Sequence, residues 1–251
     1  MFNRYHMKET WENYDAENQI KRKAEYIKQL IPKDVKNILD VGCGNGIITN
    51  ELIDKWEAVG LDVSDEALKY LKCPTIKASA TEIPLGDNSF DLVLCSEMLE
   101  HLTDNELNKA VKEIKRISKK YLIITVPNNE YLEASNTLCH QCNNIFHVWQ
   151  HYQSFSGNRL KDLFSPEYQI TLFGTFGPVE KRWLPLLVKI KHKIGQWMNP
   201  GKSSICPNCG NTVFGPFSSN LATKSVNGLN KILSGTKHYW QISLFEKKIL
   251  S

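Results

Sequence analysis

Asn37-Ile-Leu-Asp-Val41 is an apolar strand that runs straight into Gly42-Cys-Gly-Asn-Gly46. Glycines at this junction let the backbone turn sharply from strand to helix and let a ligand approach the main chain. The spacing predicts a helix from about Ile47 to Lys55. A second short strand, Ala58-Val-Gly-Leu-Asp62, then ends on a carboxylate. An acidic side chain about 20 residues beyond such a loop suits a ribose diol. A glycine-rich turn alone is a weak signal, because tight turns need no ligand. Asp62 at the correct offset turns it into the signature of a nucleotide-cofactor site.

The pattern repeats outward. Upstream, Asn18 to Leu30 reads as a charged helix with Ile20, Ala24, Ile27 and Leu30 on one face, ended by Ile31-Pro32. Downstream, Ser64 is placed to cap a helix with Asp65 and Glu66 in its positive first turn. Thr75 to Ala78 is a third strand, and Phe90 to Cys95 a fourth, apolar enough to be buried on both faces. Thr103 and Glu106 make a capping box for a helix carrying Leu107, Ala110, Val111, Ile114 and Ile117 inward. Tyr121 to Val126 is a fifth strand, stopped by Pro127. Ser156 is placed to cap a helix through Leu163, and Tyr168 to Phe173 is a sixth strand. Gly174 to Gly235 reads as a long irregular stretch, and His238 to Phe245 as a last strand returning to the sheet. Strand–helix alternation of this kind means α/β architecture, a parallel sheet covered by helices. The chain of 251 residues, 41% hydrophobic and 23% charged, is an ordinary globular composition with a mild net charge of +4. Such a charge permits an anionic partner without demanding one.

The loop is Gly42-x-Gly44-x-Gly46, which is not the G-x-G-x-x-G of dinucleotide enzymes. Asp40-Val-Gly-Cys-Gly-Asn-Gly46 resembles the first motif of class I S-adenosylmethionine-dependent methyltransferases, of the type 11-like kind. The resemblance continues through Gly60-Leu-Asp62-Val-Ser64, Ala80-Thr-Glu-Ile-Pro84, Asn88-Ser-Phe-Asp91 and Ser96-Glu-Met-Leu-Glu-His101, and is dense over about residues 35 to 130. It implies a Rossmann-like sheet of parallel strands with an antiparallel last strand, and S-adenosylmethionine as cofactor. It also implies roles. Asp40 and the loop Gly42, Cys43, Gly44 and Gly46 would hold the methionine end of the cofactor. Asp62 would bind the ribose hydroxyls, and Val63 would pack on the adenine. Ala80 and Thr81 would line the adenine edge, and Ser96 and Glu97 would sit beside the methionine. Ser79 stands where the family often carries an acidic residue for the adenine amine, so that contact falls to Thr81 or is weaker. His101 matches a common family histidine, read here as structural.

Seven cysteines remain. Cys43, Cys73 and Cys95 are scattered singly. Cys139-His-Gln-Cys142 and Cys206-Pro-Asn-Cys209 are two knuckles, each half of a tetrahedral thiolate site. Some sixty residues separate them, far more than in local zinc modules. Topology still brings them together, because both follow strands that end at the ligand-binding edge of such a sheet. Structural zinc is the expectation for Cys139, Cys142, Cys206 and Cys209, with free thiols or a redox pair as the rivals. Four thiolates leave no open coordination position, so the metal would clamp a lid over the acceptor pocket.

Between the knuckles, His147 and His151 are four apart and would share a face on a helix. They are candidate bases for an acceptor hydroxyl or amine. The other readings make them zinc ligands or the cap of aromatic packing around Trp149 and Phe155. Lys181 to Met198 mixes bulky apolar groups with cations. A lid helix packed on the domain is favoured, and a peripheral contact with an anionic membrane is the rival.

The expected organisation is therefore an N-terminal helical cap over 1–34, a cofactor-binding methyltransferase domain over 35–178 and 236–251, and an insertion over 179–235. The expected reaction is methyl transfer to a small-molecule or glycan/lipid-precursor acceptor. An RNA methyltransferase or a non-catalytic regulatory protein that binds the cofactor are the alternatives. Nucleic acid is the less expected partner, for want of a recognisable binding module. The polar opening Met1 to Thr10 and the lack of a spanning apolar run suggest a cytoplasmic protein, at most peripheral to a membrane.

Overall fold

A computed structural model describes residues 4–12, 17–201, 204–214 and 220–248. Five parallel strands form the centre: β1 (Asn37–Val41), β2 (Glu57–Asp62), β3 (Thr75–Lys77), β4 (Phe90–Ser96) and β5 (Ser118–Pro127). Two long strands, β8 (Tyr168–Lys181) and β9 (Thr236–Lys247), extend the sheet in the order β3-β2-β1-β4-β5-β9-β8. β9 runs antiparallel to both neighbours. The order reverses at β1/β4, so the crevice above those strands is where ligands bind in open α/β sheets.

Helices cover both faces. α5 (Asp104–Ile117) buries Leu107, Ala110, Val111, Ile114 and Ile117 on one side, as its spacing dictates. Each fully buried aliphatic side chain contributes about 1.5–3 kcal/mol relative to exposure. Its start is fixed by Glu106, whose carboxylate accepts from the Thr103 backbone N–H at 2.9 Å and from the Thr103 hydroxyl at 2.6 Å. α2 (Glu17–Leu30) buries Ala24 and Ile27 on the other side, against Ile38, Leu92 and Leu94. α4 (Asp65–Leu68) is capped by Ser64, which accepts from Ala67 N–H.

Three expectations are corrected. The helix after the glycine loop is a single turn, α3 (Thr49–Leu52). No side chain caps it at Ile48, and Lys55 N–H bonds back only three residues, to Leu52. The sixth strand does not stop at Phe173. It continues to Lys181 because β9 pairs along its length, and an irregularity between Phe176 and Val179 absorbs Gly177 (φ +86°) and Pro178. Those two residues read as strand breakers in sequence, yet a bulge accommodates both. The stretch read as irregular also contains two helices, α7 (Pro185–Lys193) and α8 (Leu221–Leu233).

The remaining elements gather at the C-terminal ends of the parallel strands. β6 (Asn136–Leu138) and β7 (Ile145–His147) form a hairpin after β5, and α6 (Gly157–Phe164) leads back to β8. The short α1 (Glu9–Glu12) stands near the glycine loop through Trp11. Among the described residues no helix is long and apolar enough to cross a membrane.

Candidate functional site

The loop after β1 is held down on β2. Gly42 N–H and Cys43 N–H both donate to Leu61 C=O, at 2.7 and 3.1 Å. Gly42 (φ +75°) and Gly44 (φ +53°) adopt left-handed backbone that favours glycine. A Cβ at Gly42 would overlap Met98, and one at Gly44 would come 2.9 Å from the Trp11 ring. Asp62 closes the loop: its carboxylate accepts from Gly44 N–H and from Ser64 N–H, each at 2.9 Å.

Asp40, the penultimate residue of β1, lies beneath the loop and is 2% exposed. One oxygen accepts from the Thr49 hydroxyl at 2.6 Å, and the other is buried with no partner. Burial pushes the carboxyl up to about 7, against the Thr49 hydrogen bond; Asp62 adds to the rise and Lys23 opposes it. An orphaned buried acceptor is costly unless a donor arrives. It fits the ammonium of an amino-acid ligand lying over the glycines.

The adenine-side candidates adjoin. Ala78 N–H donates to Asp62 C=O at 3.1 Å, which brings Ser79, Ala80 and Thr81 beside β2. The Ser79 and Thr81 hydroxyls are 2.7 Å apart, Ala80 is buried, and Val63 is 41% exposed, an apolar platform open for a ring.

At the end of β4, Ser96 Oγ lies 2.8 Å from Thr125 Oγ1, which donates to Glu97 at 3.1 Å. Glu97 has left-handed backbone (φ +54°) and forms an ion pair with Lys23 at 2.9 Å. Lys23 is 1% exposed, with its ammonium 4.6 Å from the Trp240 ring. Burial lowers its pKa, and Glu97 opposes that shift. Glu100 is buried with both carboxylate oxygens unpartnered; burial first, then Glu97, pushes it well above the usual carboxylate range. Sequence reasoning missed both residues. The signal for Lys23 was its place in the row of Ile20, Ala24 and Ile27, where a solvated lysine would not stand.

His147 and His151 come together, though not on a helix. His147 ends β7 and His151 lies in the loop after it, yet their rings stack 4.5 Å apart. Glu130, just beyond β5, bridges them at 3.1 Å to His147 Nε2 and 2.5 Å to His151 Nδ1. His147 Nδ1 accepts backbone N–H groups of Trp149 and His151, so its proton sits on Nε2 and goes to Glu130. His151 spends Nδ1–H on the same carboxylate, which leaves Nε2 as its acceptor. Burial would raise Glu130, but the two imidazole bonds outweigh it and hold the carboxyl far below its usual range. Burial lowers His147 below an ordinary imidazole. His101 joins edge-on, 4.7 Å from His151, with Tyr5 Oη 3.1 Å from its Nε2. Glu130 and Tyr5 carry no spacing signal in the sequence.

The two cysteine knuckles meet across the sheet edge. Cys139 and Cys209 sulfurs are 3.6 Å apart, as are those of Cys142 and Cys206, and all four lie within 4.8 Å of one another. A tetrahedral zinc with bonds of about 2.3 Å would space its sulfurs by roughly 3.8 Å. The knuckles are near copies. Cys139 N–H donates to Asn144 C=O and Cys206 N–H to Asn211 C=O. The left-handed residue after each second cysteine is Asn143 in one and Gly210 in the other. Each also lends an amide to the other: Asn144 Nδ2 approaches Cys206 sulfur and Asn211 Nδ2 approaches Cys139 sulfur. The first knuckle is the turn of the β6–β7 hairpin that ends at His147. The second is tied to the same segment through Ser204 Oγ to Val148 C=O at 3.3 Å. The histidines face Glu130 rather than the sulfurs.

A separate cleft of about 510 Å³, lined by Asp34, Lys36, Asp91, Lys119 and Lys120, opens at the opposite end of the sheet. Its charges are paired, Lys120 with Asp34 and Lys119 with Asp91, and it lies far from the glycine loop.

Residues 39–124, from β1 into β5, match a family described as a methyltransferase domain. An uncharacterized protein of Methanocaldococcus jannaschii is 36% identical over 138 residues, covering 49% of this chain and 60% of that one. A ubiquinone biosynthesis O-methyltransferase of Nitrosomonas europaea is 36% identical over 97 residues, 33% of this chain and 40% of that one. The chain therefore spans less than two thirds of the length of these curated relatives. Among solved structures, a SAM-dependent methyltransferase from Archaeoglobus fulgidus superposes with a TM-score of 0.56 at 18% identity, covering 96% of this chain and 97% of that one.

Proposed function

We propose, on the premise that this chain carries a class I S-adenosylmethionine-dependent methyltransferase domain, that it transfers a methyl group to a hydroxyl or amine of a small-molecule or glycan/lipid-precursor acceptor. The observation that carries the cofactor reading is the buried, unpartnered oxygen of Asp40 beneath a left-handed glycine loop. Asp40 takes the ammonium, and the left-handed glycine turn lets the carboxylate approach the main chain over the loop. Asp62, anchored by Gly44 and Ser64 at the end of β2, takes the ribose hydroxyls. Val63, Ser79, Ala80 and Thr81 border the adenine, and Ser96 and Glu97 the methionine.

The cofactor supplies an electrophilic methyl on a sulfonium. The proton of the attacking acceptor group would go to Nε2 of His151. Glu130 fixes the tautomer that leaves this nitrogen free, and His147 is a positioning residue. Much of the rate in such a displacement comes from alignment and exclusion of water. The four cysteines fit one structural zinc, with donor chemistry and spacing both suited to it. It would hold the β6–β7 hairpin, and with it His147 and His151, against the sheet.

Isothermal titration of S-adenosylmethionine and S-adenosylhomocysteine into zinc-replete protein tests this. Binding is expected, and is expected to be lost in Asp62→Ala and in Val63→Arg. The second variant leaves the loop's hydrogen bonds intact, so it separates a blocked site from a collapsed loop. A folded wild type that binds neither compound would sink the reading.

A further inference from the structure

The surface built by α7 and α8 has an arrangement that a solvated lid does not need. α8 is capped at its start by Asn220, which accepts from Thr223 N–H, and it packs on the protein through Thr223, Val226 and Asn230. On a helix of 3.6 residues per turn, Leu221 falls on the opposite side from those three, Leu229 on the flank beside Val226, and Ile232 on the opposite side. They are 82%, 49% and 79% exposed. Ordinary surface helices turn polar residues outward; this one buries Thr223, Val226 and Asn230 and turns Leu221 and Ile232 outward. α7 packs against α8 and adds Leu186, 69% exposed, on the same side of its helix as the exposed Lys189 and Lys193. Lys224 and Lys231 of α8 are exposed beside its outward stripe.

The charge carried by α7 and α8 themselves has one sign. From Lys181 to Phe245 the sequence has nine lysines and arginines and no aspartate or glutamate. An occupant must therefore be anionic and must reward isolated leucines and isoleucines. A second copy of the chain would set like charges against each other. Nucleic acid would pair with the lysines but gain little from Leu221 and Ile232. An anionic bilayer satisfies both requirements, with apolar side chains entering the acyl boundary and lysines at the headgroups.

We propose that the α7–α8 surface docks this protein on an anionic lipid bilayer. α7 and α8 connect β8 to β9 at the sheet edge that carries the glycine loop and the histidine pair, so docking turns the site's mouth toward the lipid. Its bearing on the acceptor, a molecule embedded in or tethered to the membrane, rests on the methyltransferase reading. The docking itself rests only on the surface.

Flotation of the full chain with phosphatidylcholine vesicles, with and without phosphatidylglycerol, tests it. Binding to the phosphatidylglycerol vesicles is expected, at least about tenfold tighter than to phosphatidylcholine alone. The double variants L221S/I232S and K189E/K193E are each expected to lower vesicle affinity at least about tenfold. Their S-adenosylhomocysteine affinity in lipid-free buffer should not change, which shows that they are folded. No flotation, undiminished flotation of L221S/I232S, or tight binding of short single-stranded RNA in place of vesicles would overturn the proposal. Flotation by a protein that fails to bind S-adenosylhomocysteine would support the surface and overturn only the cofactor reading.

Discussion

The half of the molecule from β1 to β5 and the half that follows are built on different terms. In the first, each strand ends in a short connection and the site residues stand on the strand ends themselves. Asp40 is the penultimate residue of β1, Asp62 closes β2 and Ser96 closes β4. Their positions follow from strand register, which the hydrophobic core fixes. In the second, Glu130, His147 and His151 stand on a hairpin and loops with a small core of their own: Cys139, Phe146 and Cys206, with Cys142, Cys209 and Phe214 packed around them. A core of that size contributes little alone, and small units commonly need a metal or disulfide to hold them. The sheet, β8 and β9 included, has the large buried cores, while the hairpin that carries the histidines has only this small one with four sulfurs in it.

The sharpest way to break that contrast is to remove one sulfur. In Cys206→Ser the second knuckle loses a zinc ligand, and structural zinc sites of small domains contribute folding energy outright. Zinc content should fall from one equivalent toward zero. Amide exchange across 136–147 and 204–214 should rise by the equivalent of about 3 kcal/mol or more. Exchange across β1, β4 and β5 should hold nearly constant. Equal deprotection of both halves would show that the sheet, too, depends on the metal.

Glu130→Gln sharpens the comparison at the chemistry. The amide keeps the size but no longer accepts on both sides, so it cannot hold two imidazoles in their tautomers. Turnover should fall about a hundredfold, within the usual range for losing general-base chemistry. Cofactor affinity should be unchanged, because Asp40 and Asp62 belong to the other half. The pH profile gives the second readout. Neutralising Glu130 removes the negative charge that both imidazoles face, so the imidazole-dependent limb should move to lower pH. A fall in turnover with an unmoved pH profile would demote the pair to packing.

How legible each half was follows from the same difference. The glycine loop, Asp62, the capping box of Thr103 and the inward row of α5 are all local patterns, set within a few residues of one another. β8 runs past Phe173, where its sequence pattern ends, because pairing with β9, some sixty residues away in sequence, carries it through a bulge at Gly177 and Pro178. The cysteine pairs were legible as chemistry, and the sheet order carried them together. Glu130 was not legible, because a lone glutamate after a strand carries no periodicity; only the folded hairpin shows what it bridges. Lys23 was hidden in a helix read by its apolar neighbours.

Lys23 itself marks where the halves meet, pairing α2 with Glu97 beside the cofactor edge. Lys23→Met should destabilise by about 1–3 kcal/mol, since it leaves a partly exposed carboxylate without its cation. The double variant Lys23→Met/Glu97→Gln should recover part of that loss, as a thermal-melt cycle would show. If the double variant is no better than the single, the ion pair is not what holds the helix.

The smallest effect is the most specific to the cofactor half. Burial raises the Asp40 carboxyl to about 7 in the folded protein, against about 3.9 for an ordinary aspartate. The folded state therefore keeps a proton that the unfolded chain releases. This group's contribution to stability is most favourable below about pH 4, declines as pH rises through 7, and is level above that. Cofactor affinity should run the other way, because an ammonium pairs with the ionised carboxylate and not with the acid. Between pH 6 and pH 8 the ionised fraction rises about tenfold for a group near 7. S-adenosylhomocysteine should bind up to about tenfold more tightly at pH 8, with proton release that appears as a buffer-dependent heat at pH 6 and vanishes at pH 8. Asp40→Asn should flatten both trends, while Thr49→Val should remove the hydrogen bond that opposes the rise and shift the affinity curve to higher pH. An affinity that is flat in pH with Asp40 intact would mean that the ammonium rests elsewhere, with Glu97 the nearest alternative and the division between the two halves less clean than their folding suggests.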